Sequence, residues 1–421
     1  MGHQALSLRE SLALPYFYSR FGPTGSGPGT NLVYAAKLTG PLDVQAVRRA
    51  FEELARETPS LRGYFSGPGA EPARLTSPVP PPFNFIDAQG DGPGFKAAVR
   101  RAADQNFEVS AFPLLEATLV RRRADVHVLV LAAHHLLMDG FSIVMLLRAI
   151  SNRVRGRTAV TRKDADYDVG AEAKARLAFL QSQEAAALKA RAVDWMRPAA
   201  VALWPREQVF FPMPKERHGL VRLAREPVQA ASKTLGLKAT ALHRLLLVLL
   251  QHAITRSPHA AFSEAHANRP PSRPDLYGFM SDDLLARVDL DASLSIVDLV
   301  ARIDQSLTTA RGFSAIPCSR ILQALDSNAR PLPRFHFNPL SIAAGALRLP
   351  NVEVRPFKIM PAYSVAELVF VSGDLERVFI ALAHGQIEGL DIDRLGLWLN
   401  LMVERLAAPN ATVGQVSAEL A

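Results

Sequence analysis

Apolar and polar positions change period repeatedly along the chain, and each change marks out an element. A loop rich in Gly and Pro at 22–29 comes first, and residues 31–38 then alternate as a strand does. From 44 to 54 the spacing becomes helical, with Val44, Val47, Phe51 and Leu54 on one stripe and Asp43 placed to cap the start. A Pro-rich connection at 78–82 leads to a second helical stretch at 95–106. Residues 114–122 and 126–133 read as two strands of a hairpin around Arg123, Ala124 and Asp125. The second of these is almost wholly apolar, the pattern of a central strand buried on both faces. Residues 141–153 read as a helix, and the Ala-rich stretch that follows predicts a long helix over 169–195. Later, the pattern predicts a helix over 233–256, strands over 261–267, 334–339, 368–371 and 378–383, and a last helix over 392–406. Strands and helices alternate in both halves, which predicts a layered α/β (α+β) architecture.

A chain of 421 residues exceeds one ordinary hydrophobic core, so two domains are expected. We place an N-terminal subdomain at 1–165, a bridge at 166–206 and a C-terminal subdomain at 207–421. With 48% hydrophobic and 21% charged residues, the composition is that of a globular enzyme. No apolar run approaches the ~18 residues of a membrane span. The run at 245–250 is short and reads as part of a buried helix. The start, Met1-Gly2-His3-Gln4, lacks the basic-then-apolar order of a secretion signal, so the cytoplasm is the expected address. A single cysteine, Cys318, excludes an internal disulfide and a multi-cysteine metal site. The net charge of +8 is scattered, with no concentrated basic stripe carrying interleaved aromatics, which argues against a nucleic-acid partner. It reads either as solvated surface or as attraction to an anionic partner.

Chemistry concentrates at one place. The apolar strand runs directly into His134-His135-Leu136-Leu137-Met138-Asp139-Gly140, where strand gives way to loop and then helix. A neutral imidazole accepts a proton well near pH 7, its ordinary pKa being about 6.5. Neighbouring side chains point in different directions, so one histidine can be anchored in the core while the other faces a cavity. Asp139 can turn back either to orient a ring or to meet an arginine. Gly140 allows the backbone to turn and a substrate chain to pass close by. Adjacent histidines do not chelate a metal as an i, i+4 pair does, and no His-Glu-x-x-His occurs. Gly-x-Ser-x-Gly, a Walker A loop and a dinucleotide glycine pattern are also absent. His243 and His252 fall in a helical pattern and read as hydrogen-bonded core residues.

His-His-x-x-x-Asp-Gly after an apolar strand resembles the signature of the chloramphenicol-acetyltransferase-like superfamily, which includes peptide-synthetase condensation domains and polyketide-associated acyltransferases. The surroundings carry the resemblance further. Leu38-Thr39-Gly40-Pro41-Leu42-Asp43 and Pro59-Ser60-Leu61-Arg62 are similar to the opening of condensation domains. Ala267-Asn268-Arg269-Pro270 with Leu276-Tyr277-Gly278-Phe279, and then Phe335-His336-Phe337-Asn338, are similar to their later segments. The resemblance implies two chloramphenicol-acetyltransferase-like subdomains forming a V-shaped pseudo-dimer with a central tunnel. It implies acyl transfer from a phosphopantetheine thioester, on a carrier protein or CoA, to an amine or alcohol, with no bound cofactor. His135 would be the general base within the motif formed with His134, Asp139 and Gly140. Asp139 would be structural and paired with Arg269, with backbone N–H groups near Gly140 meeting the oxyanion. Arg269, Asp282 and Asn338 fall at positions associated with substrate binding.

Departures from the family pattern are also visible. Glu57-Thr58 stands where many condensation domains carry Arg-His, and Asp282 stands where Asn is common. Glu264-Ala265-His266 resembles the Glu-Gly-His of epimerization domains, so epimerization is one alternative. A catalytically silent recruitment domain of the same fold is another, although such domains usually lose the histidine motif. His266 and His336 read as strand packing residues. With no adenylation or carrier domain in the chain, the expectation is a monomer that acts in trans.

Overall fold

The computed structural model describes residues 3–4, 6, 10, 13, 22–27, 30–71, 73–88, 90, 92–157, 169–200, 211–212, 218–325, 335–339, 345–357, 359, 363–364, 368–382, 390–408 and 410–418. The chain divides into two compact units. The first comprises 1–178, 267–281 and 342–359, and the second comprises 179–266, 282–341 and 360–421. The chain thus returns to its first unit twice. The junctions expected near 165 and 206 lie outside the described residues.

The first unit is built on a five-stranded sheet in the order Glu353–Pro356, Asn31–Thr39, Val126–His134, Leu115–Arg123, Phe83–Asp87. All neighbours are antiparallel except the last pair. Val126–His134 is buried at every position, because helices cover both of its faces. On one face Leu129 and Leu131 pack with Phe51 and Leu54 of the helix Val44–Glu57 and with Leu146 and Leu147 of Gly140–Val154. On the other, Val128 and Val130 pack with Phe95 and Val99 of Pro93–Ala103. The expected cap is present, the Asp43 side chain accepting from Ala46 N at 2.8 Å. Such a cap is worth ~1 kcal/mol. Strand register places Asn31 opposite His134, which fixes where the strand ends and the loop begins.

The second unit holds a six-stranded mixed sheet, Asp282–Asp289, His259–His266, Phe335–Asn338, Leu368–Ser372, Arg377–Leu382, His218–Arg222. Its two parallel pairings flank Phe335–Asn338. Under one face lies the helix Ala239–Thr255, whose Leu245, Leu246, Leu249 and Leu250 are fully buried in a core shared with Phe262, Phe335, Phe337 and Phe370. At the other face, Ala261 and Leu285 are covered by the helices Gln183–Met196 and Cys318–Leu325. Among the described residues no single helix is long and apolar enough to cross a membrane.

Two helices expected as continuous are each broken. The stretch over 233–256 becomes Arg225–Leu235 and Ala239–Thr255, which meet at 99°. The break falls at Gly236, whose φ of +66° is open to glycine at little cost and ends the first helix. The stretch over 169–195 becomes Val169–Leu180 and Gln183–Met196. Ser182 stops it by accepting from Ala185 N at 3.1 Å, a local cap that competes with continued helix.

Candidate active site

The strand Val126–His134 ends at His134, whose N–H still donates to Leu114 O at 2.9 Å. Its ring is fully buried, and Nδ1 accepts from Leu136 N at 3.1 Å, holding the turn that follows. Burial pushes the ring's pKa down to about 3. The neighbouring His135 lowers it further, and a backbone hydrogen bond with Gly25 works the other way. His134 is therefore a neutral structural imidazole at pH 7. His135 donates its backbone N–H to Thr30 O at 2.8 Å and keeps part of its surface exposed. Its ring meets Phe279 edge to face, with centroids 4.9 Å apart and planes at 63°.

Four residues on, Asp139 caps the helix Gly140–Val154, Oδ1 accepting from Ser142 N at 2.9 Å. The same carboxylate receives Arg269 bidentately, Nη2 to Oδ1 at 2.7 Å and Nη1 to Oδ2 at 3.0 Å. The backbone N–H groups of Met280 and Ser281 add bonds to Oδ2 at 3.1 and 2.9 Å. Burial opposes the charge on Asp139, but the nearby guanidinium and these hydrogen bonds outweigh it and hold the carboxyl below its ordinary range. Arg269 is equally committed. Nε donates to Leu276 O at 3.0 Å, Nη1 also donates to Ala267 O at 2.9 Å, and Nη2 also donates to the Ser142 hydroxyl at 2.9 Å. Together with the two bonds to Asp139, every N–H of the guanidinium is used. Asp139 thus spends its acceptors on Arg269 and backbone N–H groups, and the alternative of orienting a ring is not the one adopted.

The segment 276–281 is tied down as a strap across this network. Gly278 N–H donates to Ser142 Oγ at 3.1 Å, and Ser142 Oγ–H donates to Gly278 O at 3.0 Å. Asn268 Nδ2 adds a bond to Met280 O at 3.2 Å. Gly278 has φ +149°, a backbone region that side chains beyond glycine adopt only under strain. Gly140 is the first residue of its helix. Among the described residues the N–H groups of Gly140 and Phe141 receive no hydrogen-bond acceptor, as is usual for a first helical turn.

His134, His135, Asp139, Gly140 and Arg269 are therefore gathered in the first unit. Asp282 and Asn338 belong to the second unit's sheet. Asp282 accepts from Asp283 N at 2.9 Å and from Cys318 N at 3.3 Å, at the start of the helix Cys318–Leu325. Asn338 ends its strand opposite Val371. Glu264 is buried against Arg244 in a bidentate pair at 2.6 and 3.0 Å, and Arg244 lies over the Phe337 ring. His336 Nδ1 lies 2.7 Å from Ser263 Oγ, and His243 Nδ1 lies 3.0 Å from Ser372 Oγ. Sequence reasoning missed Ser142, Phe279's contact with His135, and the Thr30 carbonyl. Phe279 was within reach, because its segment had already been singled out beside Arg269.

Residues 17–187 match the family described as Condensation domain. The chain is 24% identical over 93% of its length to chondramide synthase cmdD of Chondromyces crocatus, and it spans about a tenth of that protein (11%). The first condensation domain of the calcium-dependent antibiotic synthetase, in complex with a substrate analogue, superposes with a TM-score of 0.79 at 16% identity, covering 98% of each chain. A mutant starter condensation domain of rhizomide synthetase RzmA, in complex with C8-CoA, superposes with a TM-score of 0.76 at 14% identity, covering 98% of this chain and 96% of that one. The chain has the fold of these condensation domains, and its match to the Condensation domain family, over residues 17–187, includes the histidine motif, in line with the resemblance that the motif and its neighbouring segments carry.

Proposed function

We propose that the protein transfers an acyl group from a phosphopantetheine thioester, on a carrier protein or CoA, to an amine or alcohol, with His135 as general base. The neutral imidazole takes the acceptor's N–H or O–H proton while the acceptor's lone pair attacks the thioester carbonyl. Collapse of the tetrahedral intermediate expels the pantetheine sulfur, which leaves as the thiol once it receives that proton. No acyl-enzyme is needed. The observation that carries the reading is the division of labour within the motif. His134 is buried and neutral, Asp139 is saturated by Arg269 and backbone N–H groups, and His135 is only partly buried. The unused N–H groups of Gly140 and Phe141 lie at the positive end of a helix and suit a developing oxyanion.

Epimerization is disfavoured by Glu264, the acid that alternative would use, because it is buried in a bidentate pair with Arg244. A silent recruitment role is disfavoured by the intact motif. The test is thiol release from a panel of acyl-pantetheine thioesters, with and without amine and alcohol acceptors. Release that depends on an acceptor supports the reading. Its absence across the panel, with binding of the same thioesters demonstrated, would support the silent domain instead.

A further inference from the structure

Ser142 sits two residues beyond the motif and has no exposed surface, so it does not meet substrate. A hydroxyl offers one donor and two acceptor positions, and here all three are filled. The O–H goes to Gly278 O, while the lone pairs receive Gly278 N–H and Arg269 Nη2. Both polar groups of one residue in the strap therefore end on one side chain of the helix Gly140–Val154. Asp139 reinforces this clamp, since its N–H reaches Gly278 O at 3.3 Å and its carboxylate receives Met280 and Ser281 N–H. Phe279 lies between these pinned peptides, and its side chain is the one that rests on His135. A Cβ on Gly278 would meet nothing nearer than 3.8 Å, so glycine is required there by its φ of +149° and not by lack of space. The backbone shape is what lets a single hydroxyl hold both groups.

We propose that Ser142 is a positioning residue, which acts through the Gly278 clamp to set the Phe279 ring against His135 and so to aim the imidazole. The proposal rests on His135 being the base. Phe279 closes one side of the ring and restricts its rotation, much as a supporting shell fixes a catalytic group. Misplacement by about 1 Å costs up to ~10²-fold in rate, so loosening the strap should lower kcat while leaving KM nearly unchanged.

Two measurements test this. In protein with labelled histidines, the His135 NMR signal is assigned by its loss in His135→Gln, and Phe279→Leu marks its position without the neighbouring ring. Ser142→Ala should move the His135 signal toward that position, although Ser142 itself is not in the ring contact, while the His243 signal stays in place. If Ser142→Ala does not fold, Ser142→Cys keeps the volume with a much weaker hydrogen-bonding group and serves the same purpose. An unmoved His135 signal in the folded variant overturns the proposal whatever the activity. In kinetics, Ser142→Ala should lower kcat by about 10- to 100-fold. It should cost nothing further in a His135→Ala background. An equal loss in that background also overturns the proposal while leaving the base intact. An inert His135→Ala substitution removes the base, and the NMR result then judges the clamp alone.

Discussion

Replacing Asp139 by Asn removes a charge that its surroundings are arranged to receive. Oδ2 accepts three N–H bonds, from Arg269 Nη1, Met280 and Ser281, and Oδ1 accepts two, from Arg269 Nη2 and Ser142. An amide nitrogen at either position points its hydrogens at donors, so at least two buried N–H groups lose their acceptor. Each unsatisfied group costs about 1–3 kcal/mol. Arg269, whose side chain is 5% exposed, is left as an uncompensated buried charge, and breaking such a pair costs about 3–5 kcal/mol in total. We therefore expect Asp139→Asn to destabilise the first unit by roughly 3–5 kcal/mol. The Asp139→Asn/Arg269→Met double variant should recover much of that loss, because no lone charge remains. The assay must report on the correct unit. Trp195 and Trp398 both belong to the second unit, so their fluorescence does not follow the first. Hydrogen exchange of the Val126–His134 amides in increasing urea follows the first unit directly. A coupling energy below about 0.5 kcal/mol in this cycle would refute the reasoning, since independent sites add within that margin.

Three further outcomes follow. The buried His134 has its pKa lowered to about 3 against about 6.5 in the unfolded chain, so protons bind the unfolded state first. Its contribution is complete above pH 6.5 and is lost as pH falls toward 3, at no more than about 1.4 kcal/mol per pH unit. His134→Asn should flatten acid unfolding in that window relative to wild type, and an unchanged profile would contradict the assignment. Glu264→Gln should lower stability by a few kcal/mol by stranding Arg244, yet leave acyl transfer within a few-fold. A loss of ~10²-fold or more in a folded variant would make Glu264 a catalytic acid and revive the epimerization alternative. If the +8 net charge guides an anionic donor, kcat/KM for a CoA thioester should fall as the Debye length shrinks from about 10 Å at 0.1 M salt to about 3 Å at 1 M. At saturating donor, kcat should change little, and a flat kcat/KM would mark the charge as solvated surface.

The strongest periodic signals were readable from sequence, and the physical reason is local. The almost wholly apolar run 126–133, the capped stripe of Val47, Phe51 and Leu54, and the helix Ile392–Leu406 each carry their pattern within one element. What escaped depends on contacts far apart in sequence. The strand Asp282–Asp289 mixes charged and apolar residues, and it is a strand because it pairs along its whole length with His259–His266. Strands of three to five residues, such as Gly63–Phe65 and His218–Arg222, are too short to show a period. Breaks at Gly236 and Ser182 come from single residues inside otherwise helical patterns. Within the site, the Asp139–Arg269 pair was reached through the family resemblance and is present in the geometry. Ser142 carries no mark in sequence that separates it from any helical serine. Its importance lies in Gly278, 136 residues away.

The central claim is that His135 takes the acceptor's proton. It is tested most directly by comparing His135→Ala with wild type in single-turnover acyl transfer, using a thioester and acceptor that the wild type accepts and following thiol release and product together. The account predicts a loss of roughly 10²–10⁴-fold, the usual worth of a positioned base. Hydrogen exchange across Val126–His134 should be unchanged, showing that the strand beneath the ring is intact. Turnover near the wild-type rate in a folded His135→Ala variant would contradict it.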